Sequence, residues 1–183
     1  MAKEFDPRRL DVRRFAEDGA VLQSTDPLAQ YRRLSAEIDT EGGPAERSVH
    51  WEARGELRNP RHVQPEVWLH LRADASLPLV CQRCLRPVEV PLAVDRDFRF
   101  VADEATAAAE DDEAEEDLLA LSRSFDLHEL VEDELLMEVP VAPRHAVCPE
   151  PVKMSAADPG FEEAAAEKEN PFAVLGALKG RKQ

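Results

Sequence analysis

Three cysteines in 183 residues are too few to staple a fold, and no apolar run is long enough to cross a bilayer or open a secretory leader. The expected compartment is a reducing cytoplasm, with no membrane partner. Cations are scarce in one half: 101–183 carries 7 basic against 21 acidic side chains, while 1–100 is near balance at 16 against 17. The net charge of -15 therefore lies almost wholly in the second half. Such a surface repels nucleic-acid phosphates and suits basic proteins, although the same charge also serves plain solubility. Catalytic equipment is missing too. A Cys-His pair could serve as a nucleophile, but nothing supplies an oxyanion hole, a third orienting group or a substrate pocket, so no catalytic residue and no small-molecule substrate is assigned. The length suits one domain with tails, and the apolar content suffices for a core.

What is present centres on Cys81-Gln82-Arg83-Cys84. A C-x-x-C spacing puts two thiols on one tight turn, able to face a single point. Downstream, His145 and Cys148 form an H-x-x-C pair after Pro140-Val141-Ala142-Pro143, a segment too proline-rich for a helix. Cys81, Cys84, His145 and Cys148 are thus candidate ligands for a structural zinc, provided the fold closes the long gap between the pairs. Otherwise Cys81 and Cys84 are reduced thiols at a hairpin end and His145 is solvated or caps the helix before it. A dithiol redox role fits poorly, because Cys84 leads into a strand whereas thioredoxin-like motifs open a helix.

Period-two alternation begins at Arg47. Val49, Trp51, Ala53 and Leu57 form one apolar face, and a turn at Asn59-Pro60 follows. Odd positions from Val67 to Leu79 continue the pattern and bring Cys81 to the buried side; even positions from Val88 to Val94, then Phe98 and Phe100, give a third strand. Short connections imply antiparallel neighbours. Pro78 and Pro91 belong where a donor is not needed, at an edge, bulge or strand end. His50 and His70 fall on the wet face and receive no role. Asp26-Pro27 reads as a capped helix start carrying Leu28, Tyr31 and Leu34. A second helix runs from the capping box Asp126/Glu129 to Pro140, and it is the natural cover for the sheet. Glu134 and Glu138 share its apolar side, which is costly unless the sheet or a partner offers arginine.

The expected fold is therefore α+β, an antiparallel β-meander covered on one face by helices. A single domain spans 1–148 and includes an acidic flexible loop at about 102–117, where like charges and few apolar side chains oppose order. An acidic tail over 149–183 ends in a short docking helix, opened by Asn170-Pro171 and carrying Phe172, Leu175 and Leu178. Candidate partner-binding residues are Glu132, Asp133, Glu134, Phe172, Leu175 and Leu178.

Three blocks together, Cys81-Gln82-Arg83-Cys84-Leu85-Arg86-Pro87, the run from Asp126 to Glu134 leading into Pro140-Val141-Ala142-Pro143-Arg144-His145, and Asn170-Pro171-Phe172-Ala173-Val174-Leu175, resemble the YceD family of large ribosomal RNA subunit accumulation proteins. The resemblance covers 81–178. It implies a non-enzymatic cytoplasmic factor for processing and accumulation of large-subunit rRNA, with no catalytic residue to carry over. Because phosphate contacts need cations that the second half lacks, the expected partner is a basic ribosomal or assembly protein. Any direct rRNA contact falls to the N-terminal arginine pairs and the Lys179–Lys182 tail. The alternative is a zinc-stabilised cytoplasmic protein-interaction adaptor unrelated to ribosomes.

Overall fold

The computed structural model describes residues 5–38, 47–63 and 65–150. The chain divides into two compact units, Met1–Val147 and Cys148–Gln183. All elements below belong to the first; the tail helix and its Phe172, Leu175 and Leu178 lie outside the described residues.

The architecture is α+β. Helix α1 (Val12–Glu17) precedes strand β1 (Val21–Pro27), a 3-10 turn at Leu28–Gln30 and helix α2 (Arg32–Ala36). Strands β2 (Ser48–Arg58), β3 (Glu66–Val80) and β4 (Pro87–Val101) follow, then helix α3 (Glu104–Glu110), strand β5 (Asp117–Ala120) and helix α4 (Leu127–Met137). The five strands form one sheet in sequence order. β1 to β4 are antiparallel, with Trp51 opposite Ala73 and Leu77 opposite Val90, while β5 runs parallel to β4. Both prolines sit where expected. Beyond Ala75, β3 has no partner in β2, so Pro78 faces only β4; Pro91 lies on the stretch of β4 that β5 does not reach.

The alternation predicts the buried face correctly: Leu69, Leu71, Leu77 and Phe98 of the sheet are all essentially inaccessible. Leu127, Val131 and Leu135 of α4 and Phe15 of α1 join them in the core. Each such side chain contributes about 1.5–3 kcal/mol by leaving water. α4 is held at its start by Asp126, whose carboxylate accepts from the Glu129 amide at 3.0 Å. The N-terminal segment clamps the same point, Leu10 and Phe125 exchanging two backbone hydrogen bonds at 2.8 and 2.9 Å. α1 comes so near the sheet that a Cβ on Gly55 would stand 2.7–2.8 Å from Phe15, closer than side chains tolerate.

Three elements differ from expectation. Asp26 does not cap a helix: Val21–Pro27 is an edge strand, Pro27 ends it, and the Asp26 carboxylate instead accepts from Trp51 Nε1 at 2.7 Å and from the Tyr31 hydroxyl at 2.9 Å. The acidic stretch at about 102–117 contains α3. Asp103 caps it, accepting from the Thr106 amide and hydroxyl, both at 2.8 Å, and Ala107 is buried. Arg99 ion-pairs with Glu110 and Glu116, which offsets the like-charge repulsion there. Finally, β5 adds a parallel strand through the α3 crossover, so the sheet is mixed rather than a pure meander.

Candidate metal centre

β3 ends at Val80 and β4 starts at Pro87, and the six residues between them build a knuckle. The Cys81 amide donates to the Arg86 carbonyl at 2.9 Å, and the Leu85 amide donates to the Cys81 carbonyl at 2.8 Å. Closing so tight a turn puts Leu85 at φ 57°, in the left-handed region that favours glycine. The proline-rich chain after α4 returns to this point, where the Gln82 amide donates to the Pro143 carbonyl at 2.8 Å. That bond brings the following His145 to the knuckle, and Cys84 Sγ lies 3.4 Å from His145 Nδ1.

The four sequence-predicted ligands come together: one donor atom each from Cys81, Cys84, His145 and Cys148 lie within 4.8 Å of one another. Around an ion with Zn–S of about 2.3 Å and Zn–N of about 2.0 Å, tetrahedral ligand atoms stand roughly 3.4–3.8 Å apart, so the set needs little contraction. Cys81 is buried, and the other three are partly exposed. Burial would push the Cys81 thiol up, but backbone N–H groups of His145, Arg83 and Cys84, and the His145 side chain, hold it down to about 5. A thiol so placed is a thiolate at neutral pH, the form a metal takes. Three sulfurs and one imidazole are a soft donor set of the structural-zinc type.

The acidic candidates on α4 separate by burial. Glu132 is 8% exposed and engaged within the domain, accepting from the Arg33 and Leu34 amides at 2.7 and 3.2 Å and pairing with the Arg33 guanidinium at 3.1 Å. Asp133 meets the same guanidinium with its side chain about half exposed, at 46%. Glu134 faces the sheet, where Arg96 Nε stands 3.3 Å from its Oε2, so the sheet supplies the arginine its position demands. Burial nevertheless pushes the Glu134 carboxyl up; Arg96 opposes this, and Asp117, Asp133 and Glu138 add to it. Arg96 had a legible signal, a cation at a core-facing even position between Val94 and Phe98. A second cluster has none in local sequence: His128 stacks on Tyr31 at 4.1 Å between ring centroids, and Arg8 reaches its Nε2 at 3.3 Å. Burial, and Arg8 beside it, lower the His128 pKa, so the ring stays neutral.

Fold and site together define a small α+β protein whose hairpin knuckle gathers three cysteines and a histidine that could hold a metal ion. No helix among the described residues is long and apolar enough to cross a membrane. The family model for the large ribosomal RNA subunit accumulation protein YceD matches residues 69–179, more than half of the chain, and the chain belongs to that family. The matched span takes in the whole knuckle, α4 and the His145/Cys148 pair. No solved structure matches.

Proposed function

We propose that this chain is a non-enzymatic scaffold that promotes processing and accumulation of large-subunit rRNA by holding a basic ribosomal or assembly protein. The family supplies the process, large-subunit rRNA accumulation. The observation that carries the partner is charge. Around α3 and the start of α4, Glu104, Asp111, Asp112, Glu113 and Glu129 are exposed on the edge that follows β4. Their neighbours Glu110 and Glu116 are taken by Arg99, and Asp117 by Arg96, so the domain uses part of its acid internally and presents the rest. A lysine- or arginine-rich surface matches that edge, whereas a phosphate backbone is repelled from it. The test is capture of partners from lysate by the full chain, with and without nuclease. Basic ribosomal proteins retained after RNA digestion are expected; loss of every ribosome-related partner would overturn the protein-mediated reading.

In the same reading, zinc bound by Cys81, Cys84, His145 and Cys148 ties the knuckle to the chain that follows α4. The ion would supply cross-linking and charge neutralisation, with no part in a reaction, because all four positions are filled by side chains. Metal analysis of purified protein is expected to give one zinc per chain, with loss in Cys84→Ser. Less than one zinc per several chains would remove the metal from the account.

A further inference from the structure

Among the described residues β5 ends the sheet: it pairs only with β4, in parallel, and is the last strand in the order. The Leu121 amide donates to the Val101 carbonyl at 2.8 Å, so it points at β4. Backbone groups alternate sides along a strand, which turns the N–H and C=O of Leu118 and Ala120 away from β4, to the outer edge. That edge accepts an added strand where the chain continues. One residue past Leu121, the Ser122 carbonyl takes the Val12 amide at 3.3 Å, and Leu10 pairs antiparallel with Phe125 before the N-terminal segment turns off into α1. Along 118–120 no such strand lies among the described residues.

Between this edge and the start of α4 runs a groove of about 520 Å³. Leu119 and Leu121, both partly exposed, give it apolar surface together with Leu130. Asp126, Glu129 and Asp133, spaced three and four apart, make one acidic stripe down α4, and Glu104 of α3 adds a further carboxylate. No lysine or arginine lines the groove. The cations around it do not cancel the acid. Arg33 pairs with Asp133 and Glu132, and the exposed Arg9 and Arg123 lie beside the Leu10/Phe125 pair at one end. Arg8 is turned to His128, on the opposite face of α4. Glu104, Asp126, Glu129, Glu132 and Asp133 against Arg9, Arg33 and Arg123 leave acid in excess. At the other end of β5, the carboxylates of Asp117, Glu134 and Glu138 share the guanidinium of Arg96. Both ends of the edge are therefore negative.

We propose that the outer edge of β5 is the docking site for an extended, lysine- or arginine-rich segment of the protein partner, which joins the sheet as an added strand antiparallel to β5. The segment's backbone pairs with the N–H and C=O groups of Leu118 and Ala120, and its cations lie along Glu104, Glu129 and Asp133. In strand addition, main-chain hydrogen bonds supply affinity and the side-chain pattern supplies choice. Here charge makes the choice: an acidic segment is repelled from both ends, and an apolar one leaves the carboxylates without cations. A second copy of this chain fits badly for the same reason, since its own β5 edge is acidic, and four residues make a short template for self-pairing. The inference rests on the basic-partner reading above and specifies how that partner is held.

The test uses the full chain and a fluorescein-labelled octapeptide of alternating lysine and valine, titrated by anisotropy. Saturable binding is expected, with the Leu118 and Ala120 amides gaining hydrogen-exchange protection. The same peptide with every amide N-methylated keeps its charge but loses its donors, and should bind about tenfold more weakly. Ala120→Pro removes an N–H on the outer side only and should cost about tenfold with melting unchanged. Glu104→Gln/Glu129→Gln should weaken binding about fivefold and flatten its salt dependence. No binding by the parent chain, or equal affinity for the N-methylated peptide, would overturn the proposal; the peptide arm decides alone should Ala120→Pro fail to fold. So would binding untouched in a folded Ala120→Pro chain. Protection of the Leu118 and Ala120 amides before any peptide is added would also overturn it, since the chain itself or a second copy would then hold the edge. If parent and Ala120→Pro chains capture the same basic ribosomal proteins from lysate, this inference fails and the ribosomal reading stands. If the peptide results hold and no ribosomal protein is captured, the strand site stands and the ribosomal reading fails.

Discussion

Replacing Arg96 with methionine tests the interior electrostatics most sharply. Glu134 is 93% buried at its side chain, Arg96 is the one cation paired with it among the described residues, and its Oε2 has no well-formed hydrogen bond even so. Arg96→Met keeps the aliphatic packing but strands a carboxylate against the sheet, a change that costs about 3–5 kcal/mol. For a domain of this size that is a fall in Tm of roughly 6–20 °C, readable by calorimetry or as a lower urea midpoint at constant m. The pH dependence has a definite sign. Glu134 is raised in the folded protein, so on raising the pH the unfolded chain gives up this proton first, near the ordinary value of about 4.3. From there up through the folded pKa, Glu134 makes folding less favourable as pH increases. Without Arg96 the folded pKa climbs further and the window widens. The variant's deficit should therefore be slight near pH 4 and full near neutrality. Arg96→Met/Glu134→Leu should recover most of the loss, giving a coupling of several kcal/mol in a double-mutant cycle. A deficit below about 1 kcal/mol at neutral pH, or one insensitive to pH, would refute the argument.

Three further changes address the fold and its polar network. Gly55→Ala forces a Cβ against Phe15 and should cost about 1–3 kcal/mol in denaturant melts, with the α1 amides losing hydrogen-exchange protection first. Asp126→Ala removes the α4 cap and should cost about 1 kcal/mol, whereas Asp126→Ser should recover most of it. Burial would raise Asp26, but hydrogen bonds from Ser24, Trp51 and Tyr31 outweigh it and lower its pKa. The stability this carboxylate contributes is full above its unfolded value and is lost as pH falls through the depressed folded one. Asp26→Asn should thus cost about 1–2 kcal/mol at neutral pH, screening included, and the gap to the parent should close in acid.

How much of this was legible follows from where each element gets its stability. β3 and β4 carry their own evidence in strict alternation, so their register, the burial of Cys81 and the edge placement of Pro78 and Pro91 could all be read. α4 announces itself with Asp126, Glu129 and an apolar stripe, and its awkward Glu134 foretold an arginine opposite. β1 gives no such sign: Gln23, Ser24, Thr25 and Asp26 are polar, and the strand exists because β2 offers a ladder and because Trp51 and Tyr31 seize Asp26. α3 was obscured by the weight of its charges, although its alanines favour helix and Arg99 neutralises two of its carboxylate neighbours. The candidate ligands were visible in the sequence only as two separate pairs: His145 stands 61 positions from Cys84, and the fold closes that distance. Glu132 and Glu134, candidate partner contacts in the sequence, pair inside the domain with Arg33 and Arg96, which come from remote elements.

The proposed role ties this chain to the large ribosomal particle. The most direct measurement is the ratio of large- to small-subunit rRNA, with its precursors, in cells lacking the gene and in the same cells carrying it back. A fall in mature large-subunit rRNA with precursor build-up, reversed by the intact chain, is the predicted result. An unaltered ratio with no precursor accumulating would contradict it.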